Sequence, residues 1–206
     1  IIAILMPHRE LIVALLATLA VQLLTSVAVF TPAILAPSAH RDIGVAANAI
    51  GIFISLTYAF AALSAPIGGT FVARLGAVRV SQACLLFAGG GLAVCGLVYP
   101  VAVIAGAVMI GISYGPPTPA SSALLIERTP DWLLNLVMSI RQTGVPVGGA
   151  FAGAVVPWLV VAAGWRAAAL AMAGLCVLLA VALQAIRGTY DHGRQQIAAR
   201  RPSLAS

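Results

Sequence analysis

Apolar and charged residues are segregated along this chain into long blocks. Asp, Glu, Lys and Arg are missing from 11–40, 43–73, 80–126, 142–165 and 167–186. Tyr99-Pro100, a turn signal, divides the longest block in two. Each of the resulting six segments comes up to the roughly 20 residues a helix needs to cross a bilayer core. Inside lipid only helices and closed barrels satisfy their own backbone hydrogen bonds. The apolar runs are continuous rather than alternating, which selects helices. The pattern predicts an all-α polytopic membrane protein with spans at about 11–30, 47–71, 80–98, 101–126, 133–161 and 167–186. Pro32 and Pro37, followed by His40, Arg41 and Asp42, read as the loop after the first span. A six-helix bundle over 1–187 is followed by a polar tail, 188–206, read as a cytoplasmic tail or the start of a linker.

Composition sharpens this picture. The chain is 62% hydrophobic and 8% charged, against the ~25% charged residues of a typical soluble domain. The net charge of +6 comes from 11 basic residues, all of them Arg. In a chain of this kind a basic balance points to cytoplasmic loops near anionic lipid rather than to nucleic acid. Lys-free, Ala-rich usage suggests a GC-rich bacterial genome and hence the bacterial inner membrane. Cys84, Cys95 and Cys176 all lie in apolar segments and read as small buried hydrophobes. The chain opens on Ile1 and shows no signal-peptide pattern, so a fragment of a longer protein is expected.

An even number of spans puts both termini on one side. That side would hold Arg9, Arg74, Arg79, Arg128, Arg187, Arg194, Arg200 and Arg201, and the other only Arg41 and Arg166. The positive-inside rule then places both termini in the cytoplasm.

The loop after the second span reads Gly69-Thr-Phe-Val-Ala73-Arg74-Leu-Gly76-Ala-Val-Arg79. It resembles the helix 2–3 signature of the major facilitator superfamily, G-x-L-x-D-R-x-G-R-R/K-R/K. Gly69, Arg74, Gly76 and the basic Arg79 are kept; Ala73 stands where the signature has Asp. Gln142-Thr143-Gly144-Val-Pro146-Val-Gly148-Gly149 is similar in part to the G-P-x-x-G-G motif in the fifth helix of that superfamily's antiporters, but the fourth segment lacks the Arg those antiporters carry. The resemblance covers the whole chain as the amino-terminal six-helix half. It implies a 3+3 inverted repeat, a second six-helix half as partner, and a helix 2–3 loop that helps latch the halves together. An echo between Pro66-Ile-Gly-Gly-Thr-Phe71 and Pro146-Val-Gly-Gly-Ala-Phe151 reads either as that repeat or as ordinary membrane Gly/Pro usage.

Candidate path residues are the polar groups placed inside spans: Gln22, Thr25, Tyr58, Tyr114, Arg141, Gln142 and Thr143. Each needs a partner away from water, from another helix or from a solute. Arg141 lies about 12 Å inside a helix that starts near Leu133, at 1.5 Å per residue. It reads either as an anion contact or as a side chain snorkelling to the cytoplasm, since 142–165 alone is long enough to span. Pro116, Pro117 and Pro119 cannot sit in a regular helix interior, so a packed kink or a cavity-lining break is expected there. Gly144, Gly148 and Gly149, with Gly153, suggest a close helix seam around Pro146.

Gly111-Ile-Ser113-Tyr-Gly115 matches G-x-S-x-G, but His8, His40 and His192 all lie outside the spans and no base can reach Ser113. No enzyme, cofactor or metal is expected. The reading is a secondary transporter of a small solute by alternating access, with any coupling proton carried by the missing half. The alternative is a six-helix receptor or scaffold module.

Overall fold

A computed structural model describes residues 2–44, 49–97 and 99–199. These residues form nine helices and no strand: α1 (Ile2–Ile43), α2 (Ile50–Leu75), α3 (Ala77–Cys95), α4 (Pro100–Tyr114), α5 (Pro117–Ile126), α6 (Asp131–Gln142), α7 (Gly144–Ala163), α8 (Trp165–Ala182) and α9 (Gln184–Ala199). Six stretches are long and apolar enough to cross a membrane: Arg9–Ile43, Ile50–Leu75, Ala77–Cys95, Pro100–Ile126, Asp131–Ala163 and Trp165–Ala182. Spans 4 and 5 are thus each built from two helices, α4 with α5 and α6 with α7. The expected start of span 2 at Ala47, the end of span 3 at Val98, and Arg200, Arg201 and the rest of the tail lie outside the described residues.

Span 1 departs from the pattern. The prolines at 32 and 37 were expected to end it near Phe30, yet α1 runs on for 42 residues in all. Each proline removes one donor and frees one carbonyl, that of Ala28 or Ala33. Leu35 and Ala39, both 5% exposed, anchor the extra turns in the core. Thr31 Oγ1 donates to Val27 O at 2.7 Å, and His40 Nδ1 donates to Pro37 O at 2.9 Å. Tertiary packing therefore outweighs two local helix-breaking signals. The remaining ends follow local chemistry. Tyr99 is extended ahead of Pro100 at the first turn of α4. The tail after span 6 continues as α9.

Span 5 was expected as one helix and carries a joint at Thr143. Pro146 has no N–H to give to Gln142 O. The Thr143 N–H is shared between Ser139 O at 3.2 Å and Ile140 O at 3.1 Å. Span 4 breaks where its prolines predict. Pro117 and Pro119 occupy the first turn of α5, where a missing N–H costs no intrahelical bond.

The packing has a two-fold logic. Span 1 lies along span 5 and span 2 along span 4; span 3 packs on span 6, and the pairs 3–4 and 1–6 also touch. Exchanging spans 1 with 4, 2 with 5 and 3 with 6 maps this set onto itself, as an inverted 3+3 repeat requires. Glycines serve both contacts. A Cβ on Gly68 would lie 2.8 Å from Pro116 Cα on span 4, and one on Gly148 would lie 2.5 Å from Leu23 O on span 1. The echo between Pro66–Phe71 and Pro146–Phe151 is out of register with the turns, since Gly68 precedes Gly76 by eight residues and Gly148 precedes Gly164 by sixteen. The turns themselves match. Gly76 (φ 92, ψ 157) joins spans 2 and 3, and Gly164 (φ 84, ψ 163) joins spans 5 and 6. Both angles lie in a region that essentially only glycine occupies. Leu85, Leu92, Ile110, Leu125 and Met172 fill the centre, while Leu63, Ile67, Leu136 and Val147 remain exposed on spans 2 and 5.

Candidate functional site

Arg141 closes the last turn of α6 and is 4% exposed. Its side chain turns into the bundle, so snorkelling is not what this residue does. Nη1 donates to Ser121 Oγ and, at 3.3 Å, to Thr118 O; Nη2 donates to Gln142 Oε1 at 2.6 Å. The buried Nε has no partner among the described residues. Ser121 and Thr118 follow the proline break of span 4. The break thus places a hydroxyl and a carbonyl opposite the arginine. Neither residue was singled out from sequence, because a small polar residue in an apolar run gives no sign of its partner.

Gln22 and Ser26 continue the polar strip along span 1. Gln22 is 3% exposed and its Oε1 has no partner among the described residues. Gly144 lets span 5 close on it: a Cβ there would lie 3.0 Å from Gln22 Cβ. At the far end Tyr58 and Tyr114 meet edge to face, with centroids 6.1 Å apart. Gln142 is exposed and borders an open groove of about 670 Å³ between α5 and α6, together with Ser122, Asn135, Ser139 and Arg141.

Other candidates fall away from this strip. Thr25 is fully buried and spends its hydroxyl on Val21 O and Gln22 O of its own helix. Thr143 is exposed and bonds Ile140 O at 2.6 Å. A Cβ on Gly149 would meet the Phe30 ring at 3.2 Å, whereas Gly153 faces open space. Ser113 is fully buried and donates to Ile110 O at 2.6 Å. Among the described residues no three His, Cys, Asp or Glu side chains gather as metal ligands do.

The helix 2–3 loop draws a carboxylate from elsewhere in the chain. Arg74 and Arg79 are exposed, and Gly69 has open space where a Cβ would stand. The carboxylate that reaches the loop comes from α9. Asp191 accepts from Val78 N at 3.1 Å and from Arg79 N at 3.2 Å. It caps the N-terminus of α3 from across the chain, where an anion also meets the helix dipole favourably. Its neighbour Tyr190 donates to Glu10 O at 2.9 Å, and the Arg128 guanidinium lies 4.8 Å over its ring. Burial pushes the Tyr190 phenol above its usual range, with Arg128 acting the other way. Replacing Asp191 with Ala should destabilise the protein by about 1 kcal/mol, the usual worth of a cap. Thermal unfolding should show the drop, with Asp191→Asn losing less; equal stability of all three would mean the cap contributes nothing.

Comparison with known proteins agrees with the geometry. The family model described as Major Facilitator Superfamily matches residues 14–205. The chain is 30% identical over 144 residues to the gallate transporter of Pseudomonas putida, covering 66% of this chain and 31% of that protein. It superposes on the crystal structure of the POT family transporter PepTSo with a TM-score of 0.67 at 16% identity, covering 86% of this chain and 38% of that one. The chain thus spans about a third of the length of these relatives. With six apolar spans, an inverted 3+3 packing and a family match over nearly its whole length, this integral membrane protein belongs to the major facilitator superfamily.

Proposed function

We propose that this chain is the amino-terminal half of a secondary transporter that moves a small solute by alternating access. The carrying observation is the strip of buried polar groups, Gln22, Ser26 and Arg141, of which Gln22 Oε1 and Arg141 Nε find no hydrogen-bond partner among the described residues. Such groups are costly in a membrane and serve best where they meet a solute or each other. Glycine seams at Gly68 and Gly148 support the reading, because smooth close contacts suit helices that shift against one another. No carboxylate lies along this strip, so a proton carrier belongs to the second half. The bacterial inner membrane and cytoplasmic termini complete the proposal.

Uptake of radiolabelled solutes into vesicles containing the complete protein, with and without a proton gradient, tests it. Saturable uptake is expected, and its absence across a broad panel would overturn the reading. Orientation has its own check. Cysteine placed at Ser38 should react with an impermeant reagent added outside intact cells, and cysteine at Asp131 should not. The reverse pattern would invert the topology.

A further inference from the structure

We propose that Arg141 is the anion contact for the carried solute, and that this solute is a small carboxylate. The inference rests on the transport reading above and adds the class of substrate. It starts from an imbalance of charge. The five acids of the chain, Glu10, Asp42, Glu127, Asp131 and Asp191, all stand at or beyond the ends of the spans. Every acceptor that Arg141 meets is neutral: Thr118 O, Ser121 Oγ and Gln142 Oε1. Charges inside membrane bundles pair with an opposite charge or face a water-filled cavity. Among the described residues of this chain no carboxylate stands against that cation.

The pattern of used and unused donors says what would fit. Both Nη1 hydrogens are taken, by Thr118 O and Ser121 Oγ. Nη2 makes one bond and has a second hydrogen; Nε–H has no partner among the described residues although it is buried. Nε–H and Nη2–H form the side-on fork of a guanidinium, whose spacing matches the two oxygens of a carboxylate. Ser121 and Gln142 hold the group so that this edge is the one left over. Gln142 and Arg141 also line the groove between α5 and α6, which gives a solute an approach.

Benzoate is the probe, with benzamide as its uncharged analogue. Equilibrium binding to the purified complete protein should favour benzoate over benzamide by at least about tenfold. Arg141→Gln should weaken benzoate binding by about a hundredfold, as loss of a buried charge contact does. Arg141→Lys, which keeps the charge and loses the fork, should fall between. If Arg141→Gln does not fold, the preference of the native protein for benzoate over benzamide decides alone. No benzoate binding, benzamide competing as well as benzoate, or Arg141→Gln within threefold of native would each overturn the proposal. Benzoate binding without uptake into vesicles would uphold the anion site and overturn the transport reading instead.

Discussion

Gly148→Val should abolish transport by the complete protein and strip most of its folded material from the membrane. The backbone of span 1 leaves no room for a side chain there. An added Cβ would sit 2.5 Å from Leu23 O and 2.9 Å from Ser26 Cβ. The first neighbour is main chain, so no rotamer change relieves it, and spans 1 and 5 must part. Overpacking of a close-packed core commonly costs about 1–3 kcal/mol even where side chains can yield. Rigid backbone makes the upper end the expectation here. Parting the spans would also pull Gly144 from Gln22 and disturb the polar strip. Gly174→Val is the control, since a Cβ at Gly174 meets open space. Size-exclusion profiles and uptake should separate the two variants clearly. A native-like profile for Gly148→Val would show that the seam is looser than its geometry.

Gly76→Val should be nearly as severe, by a different route. The residue sits at φ 92 and ψ 157, which costs a non-glycine residue of the order of 1–3 kcal/mol. A Cβ there would also run into the carboxyl group of Asp191. Displacing Asp191 removes the cap from Val78 N and Arg79 N, worth about another 1 kcal/mol. The melting temperature of the complete protein should therefore fall further than for Asp191→Ala alone. Gly69→Ala, with open space around it and a helical backbone, should not lower stability in the same assay. Equal melting temperatures for Gly76→Val and Asp191→Ala would remove backbone conformation from the explanation.

Some of this was legible in the residues and some was not. The six spans follow from charge-free runs, because the cost of a charge in lipid acts on every residue and leaves a local record. The joint before Pro146 and the break at Pro116–Pro119 hinge on missing N–H groups, also local. The break was expected; span 5 was read as one helix, with Gly144 and Pro146 as packing or hinge positions within it. Pro32 and Pro37 carried the same local signal and misled, since burial of Leu35 and Ala39 against distant helices decided the outcome. Asp191 capping α3 was invisible for a related reason. A carboxylate in a polar tail has no periodicity that points to a loop more than a hundred residues earlier. The depth of Arg141 was readable from helix rise, but its direction was not, because that depends on Ser121 and Thr118 from another span.

The joint at Thr143 also bears on how the chain enters its membrane. α7 has 20 residues and no charge, about 30 Å at helical rise, which matches the bilayer core unaided. A segment centred on α7 can therefore be integrated with Arg141 still among the lipid headgroups. The insertion cost of a central charge, roughly 2.5–3.5 kcal/mol, is then avoided at that stage. Burial of the guanidinium follows only when α6 settles against α5 and meets Ser121. Dividing span 5 in this way separates what biogenesis requires of the segment from what the assembled bundle later asks of it.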